Sequence, residues 1–282
     1  MTRFVAKLEA FVELSRPLNL FQAALAIFVG YWLVENATLL KLGFTMVTVL
    51  AFTAGGNAIN DYFDYETDFV NKPSRVIPAG KISRNSALIF SITMFLLGLL
   101  TLFPILNIYT AIIGIISVLL LIIYTPILKD IVIVGNLTVS IILGAAFIFA
   151  TAAFGEIRAG IIPALLGFGF NFVREIIKDM EDVAGDRSQG IDTLATRLGK
   201  QKAKDFALFG IILIFIGIPI PYFIDIYNQY YLWIALIFIE IPLIYSFIKL
   251  LKDVSKNNCT KLSAILKYDI FFGLLAVFLG KL

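Results

Sequence analysis

Two groups of carboxylates stand where long apolar segments end. The first runs from Asn57 to Asp68 and contains Asn60, Asp61, Asp64, Glu66 and Asp68; the second runs from Lys178 to Asp186 and contains Asp179, Glu181, Asp182 and Asp186. Carboxylates are costly at a membrane edge, so two dense groups need a reason. Asn60, Asp64 and Asp68 lie at i, i+4 and i+8, and Asp179, Asp182 and Asp186 at i, i+3 and i+7, so on a helix each set lines one face. Two such faces turned toward each other are expected to cage divalent cations, the usual partners of a phosphorylated substrate.

Charge arithmetic points the same way. Two carboxylates about 6 Å apart, at an effective dielectric of about 20, repel by roughly 3 kcal/mol. Six of them (Asp61, Asp64, Asp68, Asp179, Asp182, Asp186) require counter-charge or protonation. The chain has no histidine and one cysteine, Cys259. That excludes His bases, His-ligated metals and haem, phosphohistidine, internal disulfides and paired-thiol metal sites. All-oxygen donors select Mg2+ or Mn2+ over zinc, and Mg2+ completes its octahedron with water and phosphate oxygens. Cations suited to a phosphate follow each cluster: Lys72 and Arg75 after the first, Arg187 and Arg197 after the second, with Lys178 beside Asp179 and Lys129 after Tyr124-Thr125-Pro126. A basic clamp stabilises charge on a departing diphosphate. A polar mouth above Phe-, Leu- and Ile-rich spans suits a polyprenyl diphosphate, with apolar walls shielding the reacting carbon from water.

The elements that must position these residues are membrane helices. Sixty per cent of the 282 residues are apolar, 15% are charged, and mean hydropathy is +0.92. This is the composition of an all-α, polytopic membrane protein. Nine spans are expected, at 17–34, 40–62, 86–104, 107–125, 131–150, 157–177, 204–222, 229–249 and 262–280. Residues 1–16 read as an amphipathic lead-in on the membrane surface, with no cleaved signal peptide. Of 23 basic residues, 19 fall in the N-terminal segment and the even-numbered loops, against Lys41, Arg158 and Lys281 on the other side and Arg174 inside the sixth span. The positive-inside rule therefore puts the N-terminus and both acidic clusters in the cytoplasm and the C-terminus outside. Residues 1–282 form one expected domain, with long cytoplasmic cap loops at about 65–85 and 183–203. The first is turn-rich (Pro73, Pro78, Gly80), and Ser83 is the expected N-cap of the third span. Four spans separate the clusters, which hints at two parallel four-helix halves plus a ninth helix.

The Asn60-Asp61-x-x-Asp64-x-x-x-Asp68 motif, the following Lys72-Pro73-Ser74-Arg75 and Pro78-Ala79-Gly80, and Asp179-x-x-Asp182-x-x-x-Asp186 together carry a resemblance. With Ser15-Arg16-Pro17-x-Asn19 and Tyr124-Thr125-Pro126-x-x-Lys129, they resemble the UbiA superfamily of intramembrane prenyltransferases over essentially the whole chain. The resemblance implies a nine-helix bundle with a central apolar cavity, a cytoplasmic cap and Mg2+-dependent transfer of a prenyl group (EC 2.5.1 type). It implies metal ligation by Asn60, Asp64, Asp68, Asp179, Asp182 and Asp186. Asp64, Asp68, Asp182 and Asp186 would serve catalysis, and Asn19, Asn60, Arg75, Tyr124, Lys129, Lys178 and Arg197 would bind substrate. The wording around Asn57–Asp64 is most similar to the archaeal ether-lipid branch, which adds a geranylgeranyl chain to the hydroxyl of geranylgeranylglyceryl phosphate. The partners expected are a polyprenyl diphosphate, a lipid or aromatic acceptor and membrane lipid, with no nucleic acid.

Single residues leave alternatives. Asp61 stands off the Asn60–Asp64–Asp68 line, so ligand and supporting roles are both open. Glu66 and Glu181 read as solvated flank. Asn19, Gln22 and Asn171 either line the cavity or bond helix to helix. Glu240 is an isolated intramembrane acid beside Pro242. Two rival functions are an aromatic prenyltransferase of quinone biosynthesis and, from another class, a cation transporter. Transporter sites sit near the midplane, whereas both clusters here fall on one side. The Asp-Gly-x-x-Ala-Arg opening of CDP-alcohol phosphotransferases is absent, and vanadium-type lipid phosphatases need a histidine.

Overall fold

The computed structural model describes residues 2–188 and 190–282 and, among them, contains helices and turns but no strand. The helices are α1 (Thr2–Leu14), α2 (Pro17–Trp32), α3 (Leu39–Phe63), α4 (Tyr65–Asn71), α5 (Arg84–Leu102), α6 (Ile108–Ile123), α7 (Val134–Phe154), α8 (Ile161–Ser188), α9 (Leu194–Arg197), α10 (Gly199–Gly217), α11 (Ile220–Phe223), α12 (Gln229–Ile234), α13 (Ile241–Lys252) and α14 (Lys256–Gly280). Among the described residues, eight helical segments are long and apolar enough to cross a membrane. A ninth arises only if the bent pair Val5–Leu14 and Pro17–Trp32 counts as one span. The chain is a multi-pass membrane protein. The expected first span is thus the 16-residue α2, which follows α1 at a 58° bend. Arg16 makes the bend: it adopts φ 54°, a left-handed conformation rare outside glycine, and Pro17 opens α2 where no N–H is needed.

The chain divides into two compact units. One comprises the residues up to Leu128 plus Phe149–Ile157; the other comprises Lys129–Ile148 and Arg158–Leu282. In the first, small residues let α3 and α5 approach closely. A Cβ added at Gly98 would lie 2.4 Å from the Phe52 ring, and Ser91 Oγ donates to the Gly55 carbonyl at 2.8 Å. Ala10 and Leu14 of α1 pack with Ala58, Val76, Ile77, Ile82 and Ala87, so the lead-in helix and the turns after the first cluster share one apolar core. Lys81 pairs with Glu13 across the same junction.

In the second unit α8 packs against α10 and α14. Asn228 ends the turn before α12 by donating from its backbone N–H to the Gly280 carbonyl (2.9 Å) and from Nδ2 to that of Leu279 (3.2 Å). Unpartnered carbonyls at the end of α14 are thereby met.

Several boundaries differ from expectation. The first cap loop holds a helical turn, α4, before the turns at 72–81, and Ser83 caps α5 as expected by accepting from the Ser86 N–H. The sixth span runs on to Ser188, because no proline or glycine stops the polar extension before Gly185. Tyr124–Leu128 and Ala235–Glu240 are π-turns. Pro126 lies within the first and Pro242 follows the second, and each proline removes a donor and clashes with the preceding turn.

Two glycines on different surfaces make a test. A Cβ at Gly144 would meet the Ala164 backbone carbonyl at 2.8 Å, whereas Gly43, exposed within α3, has nothing within 4 Å. Gly144→Val is expected to destabilise by about 1–3 kcal/mol. Gly43→Ala is expected to stabilise by about 0.5–1 kcal/mol. Thermal unfolding in detergent reads both shifts, and equal shifts would contradict this packing.

Candidate functional site

The first cluster spans the junction of α3 and α4. Asp64 (φ −75°, ψ 5°) separates the two, close to the expected end of the second span at 62. The register nevertheless carries through, because the Asp64 N–H donates to Asn60 O (2.9 Å) and the Asp68 N–H to Asp64 O (2.7 Å). The i, i+4, i+8 alignment survives. Asp61, Asp64 and Asp68 are 6%, 8% and 3% exposed, so all three lie out of solvent.

Their partners define an electrostatic lattice. Arg16 donates to Asp61 at 2.5 Å, and Arg75 reaches both Asp61 (3.3 Å) and Asp68. Asp61 therefore bridges two guanidinium groups. Burial pushes the Asp68 carboxyl above the usual carboxylate range, and the neighbouring Arg75 offsets only part of that. Asn60 accepts from Thr125 Oγ1 (2.8 Å) through its own Oδ1 and donates from Nδ2 to Asp64 Oδ2 (3.0 Å). The π-turn that Tyr124 opens thus holds Thr125 against the cluster, and Lys129 follows directly. Asn19 and Asn57 meet at 3.5 Å, and Asn57 Nδ2 donates to the Ser15 carbonyl at 2.9 Å, pinning the α1–α2 bend to α3. Arg84 stacks 4.5 Å from the Tyr62 ring centroid and donates to the Tyr62 carbonyl at 3.0 Å, bracing the end of α3.

The second cluster lies wholly on α8, as its spacing predicts. Asn136, buried on α7, donates from Nδ2 to Asp179 Oδ2 at 2.9 Å. Ser140 bonds the Asn136 carbonyl at 2.6 Å, and Asn171 Nδ2 bonds Ser140 Oγ at 3.2 Å, so Asn171 makes a helix-to-helix bond. Asp182 and Asp186 are half-buried. Glu181, expected to be solvated, accepts from Thr260 at 2.9 Å. Lys178 is 3.6 Å from Glu175, which also pairs with Arg174 at 2.6 Å. Arg197 is exposed and pairs with Asp192 beside the Thr193 cap of α9. Both basic residues thus already hold carboxylates.

Among the described residues, no three Asp, Glu, His or Cys side chains converge into a cation cage. Arginine and asparagine partners neutralise or orient these carboxylates instead. The donor chemistry still fits a hard cation: every candidate is a carboxylate or amide oxygen, and the Asp68 carboxyl is buried beyond what Arg75 offsets. Asn136 and Thr125 escape a reading based on acidic spacing. Their only sequence signal is a polar residue at the end of an apolar run, next to Gly135 and Pro126 respectively.

Comparison with known proteins follows this geometry. The sequence profile of the UbiA prenyltransferase family matches residues 23–274. The chain belongs to the UbiA prenyltransferase family. Within it, the chain is 36% identical to the digeranylgeranylglyceryl phosphate synthase of Methanocaldococcus jannaschii, covering 99% of this chain and 98% of that one. It is also 36% identical to the enzyme of that name from Methanopyrus kandleri, covering 98% and 100%. A solved structure described as digeranylgeranylglyceryl phosphate synthase in membranes superposes with a TM-score of 0.81 at 35% identity, covering 98% of each chain. A UbiA homolog from Archaeoglobus fulgidus, solved bound to GPP and Mg2+, shares the fold at a TM-score of 0.69 and 19% identity, covering 95% of this chain and 99% of that one.

The lattice around Arg75 predicts a stability effect. Arg75→Ala leaves Asp68 buried without its cation and is expected to cost about 1–3 kcal/mol. Arg75→Lys recovers only part of that, because an ammonium lacks the planar fork that reaches two carboxylates. Denaturation midpoints in detergent measure both, and an Arg75→Ala protein as stable as wild type would remove the lattice from this account.

Proposed function

We propose that this UbiA-family protein transfers a geranylgeranyl group from its diphosphate to the hydroxyl of geranylgeranylglyceryl phosphate, forming the second ether chain of an archaeal lipid. The observation that carries this reading is near full-length identity of 36% to relatives named for that product, by a chain that carries both aspartate sets. Asn60, Asp64 and Asp68 would hold one Mg2+, and Asp182 and Asp186 with Asp179 a second; the chemistry such ions would supply is charge neutralisation on the departing diphosphate. Asn136 orients Asp179, and Thr125 orients Asn60, as outer partners commonly do for metal ligands. Arg75 and Lys178 exchange Asp68 and Glu175 for phosphate oxygens, with Lys129, Arg197, Tyr124 and Asn19 completing the substrate contacts. The apolar spans exclude water from the reacting carbon. With no histidine in the chain, the acceptor proton passes to an aspartate of the clusters or to the departing diphosphate.

Residues 1–282 act as one transferase domain with caps at about 65–85 and 183–203. The distribution of basic residues puts both clusters and the N-terminus in the cytoplasm and the C-terminus outside.

Purified protein incubated with geranylgeranyl diphosphate, Mg2+ and geranylgeranylglyceryl phosphate is expected to yield a diether phosphate by mass, and EDTA is expected to abolish it. A prenylated 4-hydroxybenzoate instead would keep the class and overturn the acceptor. Asp64→Ala or Asp182→Ala is expected to lower turnover by on the order of 10³-fold or more, since a metal clamp is worth several kcal/mol. Near-normal activity in either folded variant would sink the metal assignment.

Acidity supplies a further check. The raised Asp68 carboxyl holds its proton at higher pH than an ordinary carboxylate, and a cation needs the ionised form. Mg2+ binding should therefore weaken on acidification from a pH above the usual carboxylate range and release protons. Titration calorimetry in buffers of different ionisation enthalpy reads that release; none would count against Asp68 as a ligand.

A further inference from the structure

The second unit contains a partly open cavity of about 40 Å3, lined by no residue of either cluster and several times the roughly 10–15 Å3 that one water requires. Its walls come from α7, α8, Ile218 just after α10, α12, the second π-turn and α14, and they are hydrocarbon at Phe147, Leu166, Phe170, Leu274 and Val277. One carboxyl group interrupts them. Asp269 lines the cavity and is 3% exposed, and its buried Oδ2 has no hydrogen-bond partner. It sits in mid-helix, 13 residues after Lys256 and 11 before Gly280, which at 1.5 Å per residue is about 20 and 17 Å from the ends of a span. An ionisable residue at that depth marks function by default. An unmet buried acceptor also carries a standing cost that a ligand donor would remove.

The lining selects among donors. The other polar group is the Tyr231 hydroxyl, which is committed as donor to the Ile218 carbonyl at 2.7 Å. An ammonium would bury its charge among walls whose only side-chain oxygens are those of Asp269 and Tyr231. Water would find the same few oxygens and otherwise hydrocarbon. An alcohol places one donor on Oδ2 and its carbon chain on the apolar walls. Gly273 keeps room for it: it lines the cavity, and a Cβ there would meet nothing within 4 Å. We propose that this cavity is a binding site for the hydroxyl end of a long-chain alcohol, held by Asp269. The hydroxyl belongs either to a free single-chain alcohol or to a glycerol ether lipid. The site does not depend on the transfer reaction above.

The test is photolabelling of the full chain in liposomes with a diazirine-bearing decanol, set against the same probe lacking the hydroxyl. Mass spectrometry locates the label. The decanol probe is expected to label peptides of α8 and α14, with the hydroxyl-free probe about tenfold weaker there, the weight of one hydrogen bond to a carboxyl group. Asp269→Leu, which removes the acceptor, and Gly273→Leu, which fills the space, should each bring the decanol signal down to the level of the hydroxyl-free probe. Size exclusion and circular dichroism check that both variants fold. Competition by farnesol assigns the site to single-chain alcohols, and competition by a dialkylglycerol assigns it to the lipid. Equal labelling by both probes, labelling unchanged in the two variants, or competition by neither alcohol overturns the proposal.

Discussion

A carboxylate near the rim of a bilayer cannot be left to itself, and much of this molecule's polar architecture answers that constraint. Asp61, Asp64 and Asp68 are all buried, yet charge repulsion alone would frustrate them. Arg16 and Arg75 supply the counter-charge, and their placement shapes what surrounds them. Arg16 reaches Asp61 from a backbone turned left-handed immediately before a proline, and the same turn swings α1 away from α2. Arg75 reaches Asp61 and Asp68 from turns whose apolar residues, Val76 and Ile77, bury against α1. Charge neutralisation and apolar packing therefore hold the same segments in place.

In the second cluster, Asp179 is met by a dipole. Asp179 receives the Asn136 amide, itself part of a buried ladder with Ser140 and Asn171 between α7 and α8. The nearby cations Arg174 and Lys178 are taken up by Glu175. A neutral donor orients a carboxylate without cancelling its charge. The two clusters, alike in spacing, thus sit in unlike electrostatic surroundings.

How much was legible in the amino-acid order follows from which forces act locally. Apolar runs of about twenty residues, with charge on alternate sides, reveal the helices because hydrophobicity is a local property. The spacing of Asp179, Asp182 and Asp186 reveals their shared face for the same reason. Thr125 and Asn136 stayed hidden because their role is set by partners 65 and 43 residues away. Glu175 stands three residues before Lys178, a helix spacing, so their pairing was as readable from the sequence as the acidic face itself.

The two arginines of the first cluster also differ in when they can act. Arg75 lies seven residues from Asp68, whereas Arg16 lies 45 from Asp61. Closing a short loop is fast, and a chain emerging from the ribosome offers its earlier residues first. Arg16 is therefore synthesised before its acid exists, while Arg75 appears just after the acids it serves. During biogenesis, the acidic end of α3 finishes its synthesis with one guanidinium already waiting and the second still to come. The order of synthesis thus shortens the time for which bare carboxylates face the membrane.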